Sequence, residues 1–227
     1  MSIWTRIAEA LSALVSGEGL LSLFDSFRTP PDRSVAFTIA VIALGAKMAK
    51  ADGEVTRNEV TAFRQVFAIP PGEEANAARV FNLARQDVAG FDAYARKIRA
   101  MFREDDKVLV DLMEGLFHIA IADGRYHPKE DAFLGAVAEI FGVGDRCFRS
   151  LRARFVDDAT PDPYDVLGIG TDATLDEARR AWKQAVRDSH PDRMIARGVP
   201  QEGVKLAERR LIAINAAWEE IAAKKAA

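Results

Sequence analysis

The stretch TLDEARRAWKQAVRDSHPDRM, residues 174–194, decides how the C-terminal part of this chain folds. Thr174 and Glu177 have the spacing of a capping box, which predicts that a helix begins here. Pro191 disfavours helical geometry at the residue before it, so we expect the helix to end near Ser189 and a stiff polar corner to follow. One arc of this helix is apolar and consists of Ala178, Ala181, Trp182, Ala185 and Val186.

A neighbouring arc of the same helix is basic. It is about 100° wide on a helical wheel and carries Arg179, Arg180, Lys183 and Arg187. A basic stripe is common on solvated helices, so by itself it predicts only an exposed face. The stripe lies beside the corner, which consists of His190, Pro191 and Asp192.

His190 has no companions that would make it catalytic. A catalytic histidine needs a nucleophile or a metal partner within reach. Asp188 and Asp192 are near in sequence, but the chain offers no Ser or Cys nucleophile constellation and no ligand set. We therefore predict that the chain is not an enzyme and that it has no cofactor.

Helical segments flank this region on both sides. Asp162 is a good N-cap and Pro163 a good first helical residue, so DPYDVLGI at residues 162–169 predicts a short helix. A longer helix is expected from about residue 201 to 223, with an apolar face of Val204, Ala207, Leu211, Ile214, Trp218 and Ile221. It should pair antiparallel with the helix 174–189, and the core between them should contain Tyr164, Leu167, Trp182 and Trp218.

Taken in this order, DPYDVLGI, the basic helix, HPDR and INAAWEEI at residues 214–221 resemble a J domain. J domains are the modules by which DnaJ-type co-chaperones stimulate the ATPase of a DnaK-type chaperone. The resemblance covers residues 162–227 and implies a small domain of three to four helices built on an antiparallel hairpin. It also implies that His190, Pro191 and Asp192 dock on the partner ATPase, and that the basic stripe meets an acidic patch there.

The rest of the chain is also predicted to be helical, without a convincing strand. Helical periodicity indicates helices at residues 35–50, 56–68, 73–87, 91–103, 106–122, 128–141 and 145–155. The proline-bearing segments RTPPDRS at 28–34 and VDDATP at 156–161 are typical of linkers. We therefore expect an amphipathic helical segment at 1–27, a helical bundle at 35–155, and the J-like domain at 162–227.

Two Ala-Asp-Gly corners repeat within the bundle. Asp52 is followed seven residues later by Glu59, and Asp123 is followed at the same distance by Glu130. Such a pair of corners in a helical domain resembles the TerB (tellurite-resistance) family. A TerB-like domain before a J domain resembles the DjlA-type co-chaperones, and the segment MIARGVPQEG at 194–203 is similar to the DjlA form of that loop. The TerB-like part would then bind a client or a targeting partner.

The same four carboxylates are weak candidates for a divalent metal site. Asp52, Glu59, Asp123 and Glu130 fall where some ligands of an EF-hand loop would fall. The preceding ligand positions, however, hold side chains without oxygen ligands, namely Met48, Lys50, Ile119 and Ile121. Helix capping, by Thr56 with Glu59 and near Pro128 and Glu130, explains the pattern better. A TerB-type metal-binding or stress-response scaffold with a vestigial J domain is therefore the alternative function.

Composition limits the class of protein and its partners. The chain has 227 residues, 49% of them hydrophobic and 29% charged, with a net charge of −3, which is typical of a globular protein and argues against broad nucleic-acid binding. Its single cysteine, Cys147, excludes an internal disulfide and a multi-cysteine zinc site. We expect a cytoplasmic protein.

The N-terminal segment is apolar on one face. Ile3, Trp4, Ile7, Leu11, Leu14 and Val15 recur at helical spacing. We predict that this helix packs on its own domain or on a partner. The alternative is a membrane-surface helix, although its polar face is poorly basic. No apolar run approaches the roughly 20 residues of a membrane span, so we expect at most a peripheral association with the inner membrane.

Overall fold

The computed structural model describes residues 3–12, 14, 19–25, 32–52, 69, 72–87, 89–102, 105–122, 124–156, 162–201 and 205–226. Every regular element within these ranges is helical, which confirms the all-α prediction. The bundle contains α1 (Ile3–Ser12), a 3₁₀ helix (Leu20–Asp25), α2 (Asp32–Asp52), α3 (Glu74–Gln86), α4 (Phe91–Met101), α5 (Asp106–Ala120), α6 (Pro128–Phe141) and α7 (Asp145–Phe155). The C-terminal part contains α8 (Pro163–Val166), α9 (Leu175–Asp188), α10 (Pro191–Arg197) and α11 (Lys205–Ala226).

Helix α2 is the centre of the bundle. All its residues from 35 to 48 are buried, and it contacts α1, α3, α4, α5 and α6. This arrangement explains why its sequence has no polar face. Lys47 lies at the end of the apolar run, where its Nζ donates a hydrogen bond to the carbonyl oxygen of Asp87 at 2.8 Å. A helix enclosed on all sides in this way provides the rigid base for the other helices.

Helix α1 packs on its own domain, as the sequence indicated. Trp4, Ile7 and Leu11 are buried in the core shared with α2 and α3. The apolar face that a membrane-surface helix would present to lipid is therefore occupied by protein. Among the helices of the described residues, none has the length and the apolar character needed to cross a membrane.

Helix boundaries agree with the sequence within a few residues, with one clear shift. Helix α2 begins at Asp32, so residues 32–34 are helical and not part of a linker as predicted. The first turn of α2 lacks apolar periodicity, which is why the pattern placed the start at 35. The predicted helix at 56–68 and the predicted linker at 156–161 fall outside the described residues, except for Val156.

Helices α9 and α11 form the expected hairpin. Trp182 stacks on Trp218 with ring centroids 5.3 Å apart, and Trp182 Nε1 donates to Asn215 Oδ1 at 2.9 Å. Ala185 lies near Ile214 beside the same cleft, so the two helices run antiparallel. The small core consists of Val166, Leu167, Ala178, Ile214, Ala217 and Ile221, with Tyr164, Trp182 and Trp218 packed against it.

Helix α10 was not predicted. Pro191 ends α9, but it also occupies the first position of α10, where its fixed dihedral favours a helix and its missing N–H is not needed. Gly198 ends α10 with a φ of +106°, in the left-handed region. Within the described residues the last helix runs from Lys205 to Ala226, and residues 202–204 of the predicted helix lie outside them.

Candidate functional site

His190, Pro191 and Asp192 form an exposed corner between α9 and α10. His190 is the N-cap of α10, and its Nδ1 accepts a hydrogen bond from the backbone N–H of Asp192 at 3.2 Å. The side chains of His190 and Asp192 remain 60% and 88% exposed. Because Nδ1 accepts, the neutral ring carries its proton on Nε2. The cap therefore fixes the ring while leaving an N–H donor free to meet a partner.

The predicted basic stripe lies on the exposed side of α9. Arg179, Arg180, Lys183 and Arg187 are all exposed. On the other side of the helix, Ala178 is fully buried and Trp182 packs against α11. Both hydrogen bonds of the capping box are present, since each of Thr174 and Glu177 accepts through its side chain from the backbone N–H of the other. They fix where α9 begins. The structure thus places the four basic side chains and the corner on one helix and its C-terminal end.

A second His-Pro corner in the chain has the same local geometry. His127 is the N-cap of α6, and its Nδ1 accepts from the backbone N–H of Lys129 at 3.2 Å. Pro128 takes the first helical position, as Pro191 does in α10. The residue that follows the proline is a lysine here and an aspartate at the candidate site. A capped His-Pro step is therefore not itself the distinguishing feature of the site.

Asp188 connects the end of α9 to the bundle. Its carboxylate accepts hydrogen bonds from Lys107 Nζ at 2.7 Å and from Gln184 at 2.9 Å. Burial alone would raise the pKa of Asp188, but the hydrogen bonds from Lys107 and Gln184 lower it below its ordinary value. The Asp188 carboxylate is consequently ionised and hydrogen-bonded, and it does not act as an acid beside His190.

A buried charge cluster lies behind the corner. Asp111 and Glu114, on α5, are almost fully buried, with side chains 1% exposed. Arg197 of α10 donates to Asp111 Oδ2 through Nε at 3.2 Å and Nη2 at 2.8 Å. Arg210 of α11 donates to Asp111 Oδ1 at 2.6 Å and to Glu114 Oε2 at 2.7 Å. Arg154 of α7 lies 3.3 Å from Glu114 Oε1 as a further ion pair.

The ionisation of this cluster follows from burial and mutual attraction. Complete burial raises the pKa of Asp111, and the guanidinium groups of Arg210 and Arg197 oppose that rise. Burial by itself would lower the pKa of Arg210, but Glu114 and Asp111 raise it well above its ordinary value. Arg210 is therefore charged in the folded protein and depends on both carboxylates for compensation. This cluster was not predicted, although two acids within the apolar stretch VLVDLMEGLF are a visible signal of it.

His118, one turn beyond Glu114 on α5, is a neutral hydrogen-bond acceptor. It is 5% exposed, and its Nδ1 lies 2.7 Å from Nη1 of Arg209. Burial, and secondly the positive charge of Arg209, lower the pKa of His118 to about 4. His118 is thus a structural histidine.

The free energy of unfolding should decrease as the pH falls from about 6.5 to about 4. An unfolded histidine takes up a proton near pH 6.5, whereas His118 in the folded chain does so only near 4. The unfolded state therefore binds more protons in this window, and lower pH favours it. Urea unfolding at several pH values should show this slope, and His118→Gln should flatten it. The exposed His127→Gln is the control, and an equal flattening there would contradict the assignment.

Glu130, which follows the second Ala-Asp-Gly corner, has a helix-capping role. Glu130 Oε2 accepts from the backbone N–H of His127 at 2.8 Å, which completes a capping box at the start of α6. His127 is the N-cap of this helix. The side chains of Asp52, Glu59 and Asp123 lie outside the described residues, as does Thr56. Within the described part of the chain, no three His, Cys, Asp or Glu side chains are grouped to hold a metal ion.

Comparison with known proteins identifies the family. The family model described as tellurite resistance protein TerB matches residues 38–153. The chain belongs to this family, and its C-terminal part carries the exposed His-Pro-Asp corner in addition.

Several relatives that match over most of the chain are named "Co-chaperone protein DjlA". The protein of Photobacterium profundum is 26% identical over 220 residues, covering 86% of this chain and 79% of the relative. That of Coxiella burnetii is 28% identical, covering 77% and 72%, and that of Escherichia coli K12 is 22% identical, covering 99% of both chains. No solved structure matches significantly. These likenesses confirm the resemblance to DjlA-type co-chaperones.

Proposed function

We propose that this chain is a J-domain co-chaperone that docks on a DnaK-type chaperone and stimulates its ATP hydrolysis. The observation that carries the proposal is the exposed corner of His190, Pro191 and Asp192 at the end of a helix with an exposed basic face. The DjlA names of the relatives support a co-chaperone role. In this role the chain is a regulator of a partner ATPase and carries out no bond chemistry itself.

The basic face guides the encounter with the partner. Its arginine and lysine side chains are exposed on α9 and would meet an acidic surface of the ATPase. Complementary charge speeds association and fixes orientation, and its effect weakens as salt screens it. The face therefore sets how readily the complex forms.

The corner makes the specific contacts once the complex has formed. Pro191 and the N-cap hydrogen bond of His190 fix the backbone, so little conformational entropy is lost on binding. Asp192 presents a carboxylate that would accept charge-assisted hydrogen bonds from an arginine or lysine of the partner. His190 would donate through Nε2. Binding in this way favours the hydrolysing conformation of the partner over its resting conformation.

Single-turnover ATP hydrolysis by the host DnaK-type chaperone is the test of this function. The wild-type chain should accelerate hydrolysis, with a concentration dependence that weakens as salt rises. A wild-type chain that leaves the rate unchanged at low and at moderate salt would contradict the proposal. The TerB-type scaffold with a vestigial J domain would then become the leading function.

Removing charge from the basic face should weaken docking without abolishing the maximal effect. We expect Lys183→Ala with Arg187→Ala to raise the half-saturating concentration by about tenfold, since two solvent-exposed charge pairs at about 0.7 kcal/mol each amount to about 1.4 kcal/mol. The control is Lys224→Ala with Lys225→Ala, which removes the same charge from the exposed end of α11. An equal shift in the control would mean that net charge, and not this face, guides the encounter.

The same proposal places the chain in the cytoplasm, in agreement with its single cysteine. The bundle would bind a client or a targeting partner.

A further inference from the structure

The corner that meets the partner is attached to the TerB bundle on its reverse side. Arg197 ends α10, and Arg210 lies in the first half of α11, so both follow the corner closely in sequence. Their partners, Asp111 and Glu114, belong to α5 of the bundle. We propose that Asp111 and Glu114 are positioning residues, which hold the His190–Pro191–Asp192 corner in its working orientation through Arg197 and Arg210. This inference rests on the proposed function and gives the bundle a part in it.

Arg197 connects three elements with one guanidinium group. Its Nε and Nη2 bind Asp111 Oδ2 on α5, and Nη2 also donates to the backbone carbonyl of Asp188 at 3.1 Å. Asp188 is the last residue of α9, two positions before His190. The side chain of Arg197 therefore ties the residues before the corner and after it to the same buried carboxylate.

Apolar packing fixes the same segment. Met194 and Val199 are completely buried, and both belong to the core of the bundle and not to the small core of the hairpin. Gly198 lies against α2, where a Cβ on this residue would be 3.0 Å from Cβ of Arg33. Gly198 therefore packs closely on α2, and any side chain at this position would press against Arg33.

Two further contacts join the C-terminal part to the bundle, one at the end of α9 and one at α8. Lys107 at the start of α5 binds the carboxylate of Asp188 at 2.7 Å. Ser150 of α7 donates through Oγ to the carbonyl oxygen of Val166 at 2.9 Å. The contacts between the C-terminal part and the bundle therefore extend beyond the charge cluster, and the charge cluster is the most buried of the polar contacts.

The attachment leaves the docking groups free. His190 and Asp192 keep 60% and 88% of their side-chain exposure, and the basic stripe of α9 is exposed as well. A contact that inhibited docking would have to cover these groups. The geometry is that of a support behind the corner, because the buried contacts are made by Asp188, Met194 and Arg197 on its reverse side.

Arg197→Met separates positioning from stability. The variant leaves Asp111 paired with Arg210, so no buried carboxylate loses all its partners. Methionine keeps the length and the packing of the arginine stem. The matched control is Arg79→Met on the exposed face of α3. Both variants are made in the full chain and are compared by amide hydrogen exchange and by single-turnover ATP hydrolysis with the host DnaK-type chaperone.

We expect residues 191–197 to exchange about tenfold faster in Arg197→Met, because local opening no longer breaks the Arg197 contacts. The maximal stimulation should fall about five- to tenfold, since the corner then has to be ordered at the moment of docking. The half-saturating concentration should change by less than about twofold, because the basic face is untouched. In an Asp111→Asn background, Arg197→Met should have a smaller further effect, since the two residues act through one contact.

If Arg197→Met speeds exchange without lowering the maximal stimulation, the proposal is wrong, because holding the corner in place would then not affect the activity. An equal loss in Arg79→Met would also overturn it. A wild-type chain that fails to stimulate at all would overturn the proposed function, and with it this inference. Loss of stimulation in Arg197→Met, with full stimulation in Arg79→Met, would support the proposed function and this inference.

Discussion

His190→Gln should abolish the stimulation of ATP hydrolysis while leaving the fold intact. His190 is an exposed side chain at the tip of a rigid corner, where the proposed contacts with the partner converge. Removing a central contact of this kind costs about 2 kcal/mol or more, which is about 30-fold in the strength of the productive interaction. Single-turnover hydrolysis at a saturating concentration of the chain is the measurement, and the rate should approach that of the chaperone alone.

The helix cap and the partner contact of His190 can be told apart. Asparagine is among the best N-cap residues, so His190→Asn should keep the hydrogen bond to the N–H of Asp192 and lose the imidazole. We expect it to be as inactive as His190→Gln. His127→Gln is the matched control, because it removes a histidine from the same capped His-Pro geometry elsewhere in the chain. Full stimulation by His190→Asn would show that the histidine acts only as a cap.

Glu114→Gln should cause the largest loss of stability. The side chain of Glu114 is 1% exposed and faces the guanidinium groups of Arg210 and Arg154. Removing its charge leaves Arg154 without its ion-pair partner and Arg210 with Asp111 alone. Breaking a buried ion pair in this way costs about 3–5 kcal/mol. The free energy of unfolding, measured in urea at an unchanged dependence on denaturant, should decrease by this amount.

A neutral pair should restore part of that stability. Arg154→Met added to Glu114→Gln removes the unpaired cation together with the missing anion, so the double variant should be more stable than Glu114→Gln alone. The partly exposed Glu220→Gln, which loses its ion pair with Lys224, should leave the unfolding midpoint unchanged. A loss in Glu220→Gln as large as that in Glu114→Gln would contradict the role assigned to burial.

Local patterns predicted most of the C-terminal fold. The capping box at Thr174 and Glu177, the apolar arc of α9 and the Trp182–Trp218 pair are all present. These features depend on residues a few positions apart or on side chains whose periodicity defines a face, which a single sequence displays. The exposed corner and its basic neighbours followed from the same local signals.

Features that depend on distant residues could not be predicted. Arg210 and Glu114 are 96 positions apart, and nothing in the sequence says which arginine compensates which buried acid. Helix α10 was not predicted, because the local pattern at Pro191 indicates only the end of α9, although the same proline can occupy the first position of a new helix. The predicted linker at 156–161, between the bundle and the J-like domain, stays a prediction, since residues 157–161 lie outside the described structure. The burial of Met194, Val199 and Ala207 with the bundle shows, however, that the two parts share a core.

The sequence distance between Arg210 and Glu114 has a consequence for biosynthesis. A ribosome adds about 5–20 residues per second, so the arginine at position 210 is made several seconds after the glutamate at position 114. During that interval Asp111 lacks both of its arginine partners, and Glu114 has only Arg154. The buried charge cluster on α5 can therefore be completed only after Arg210 has been translated.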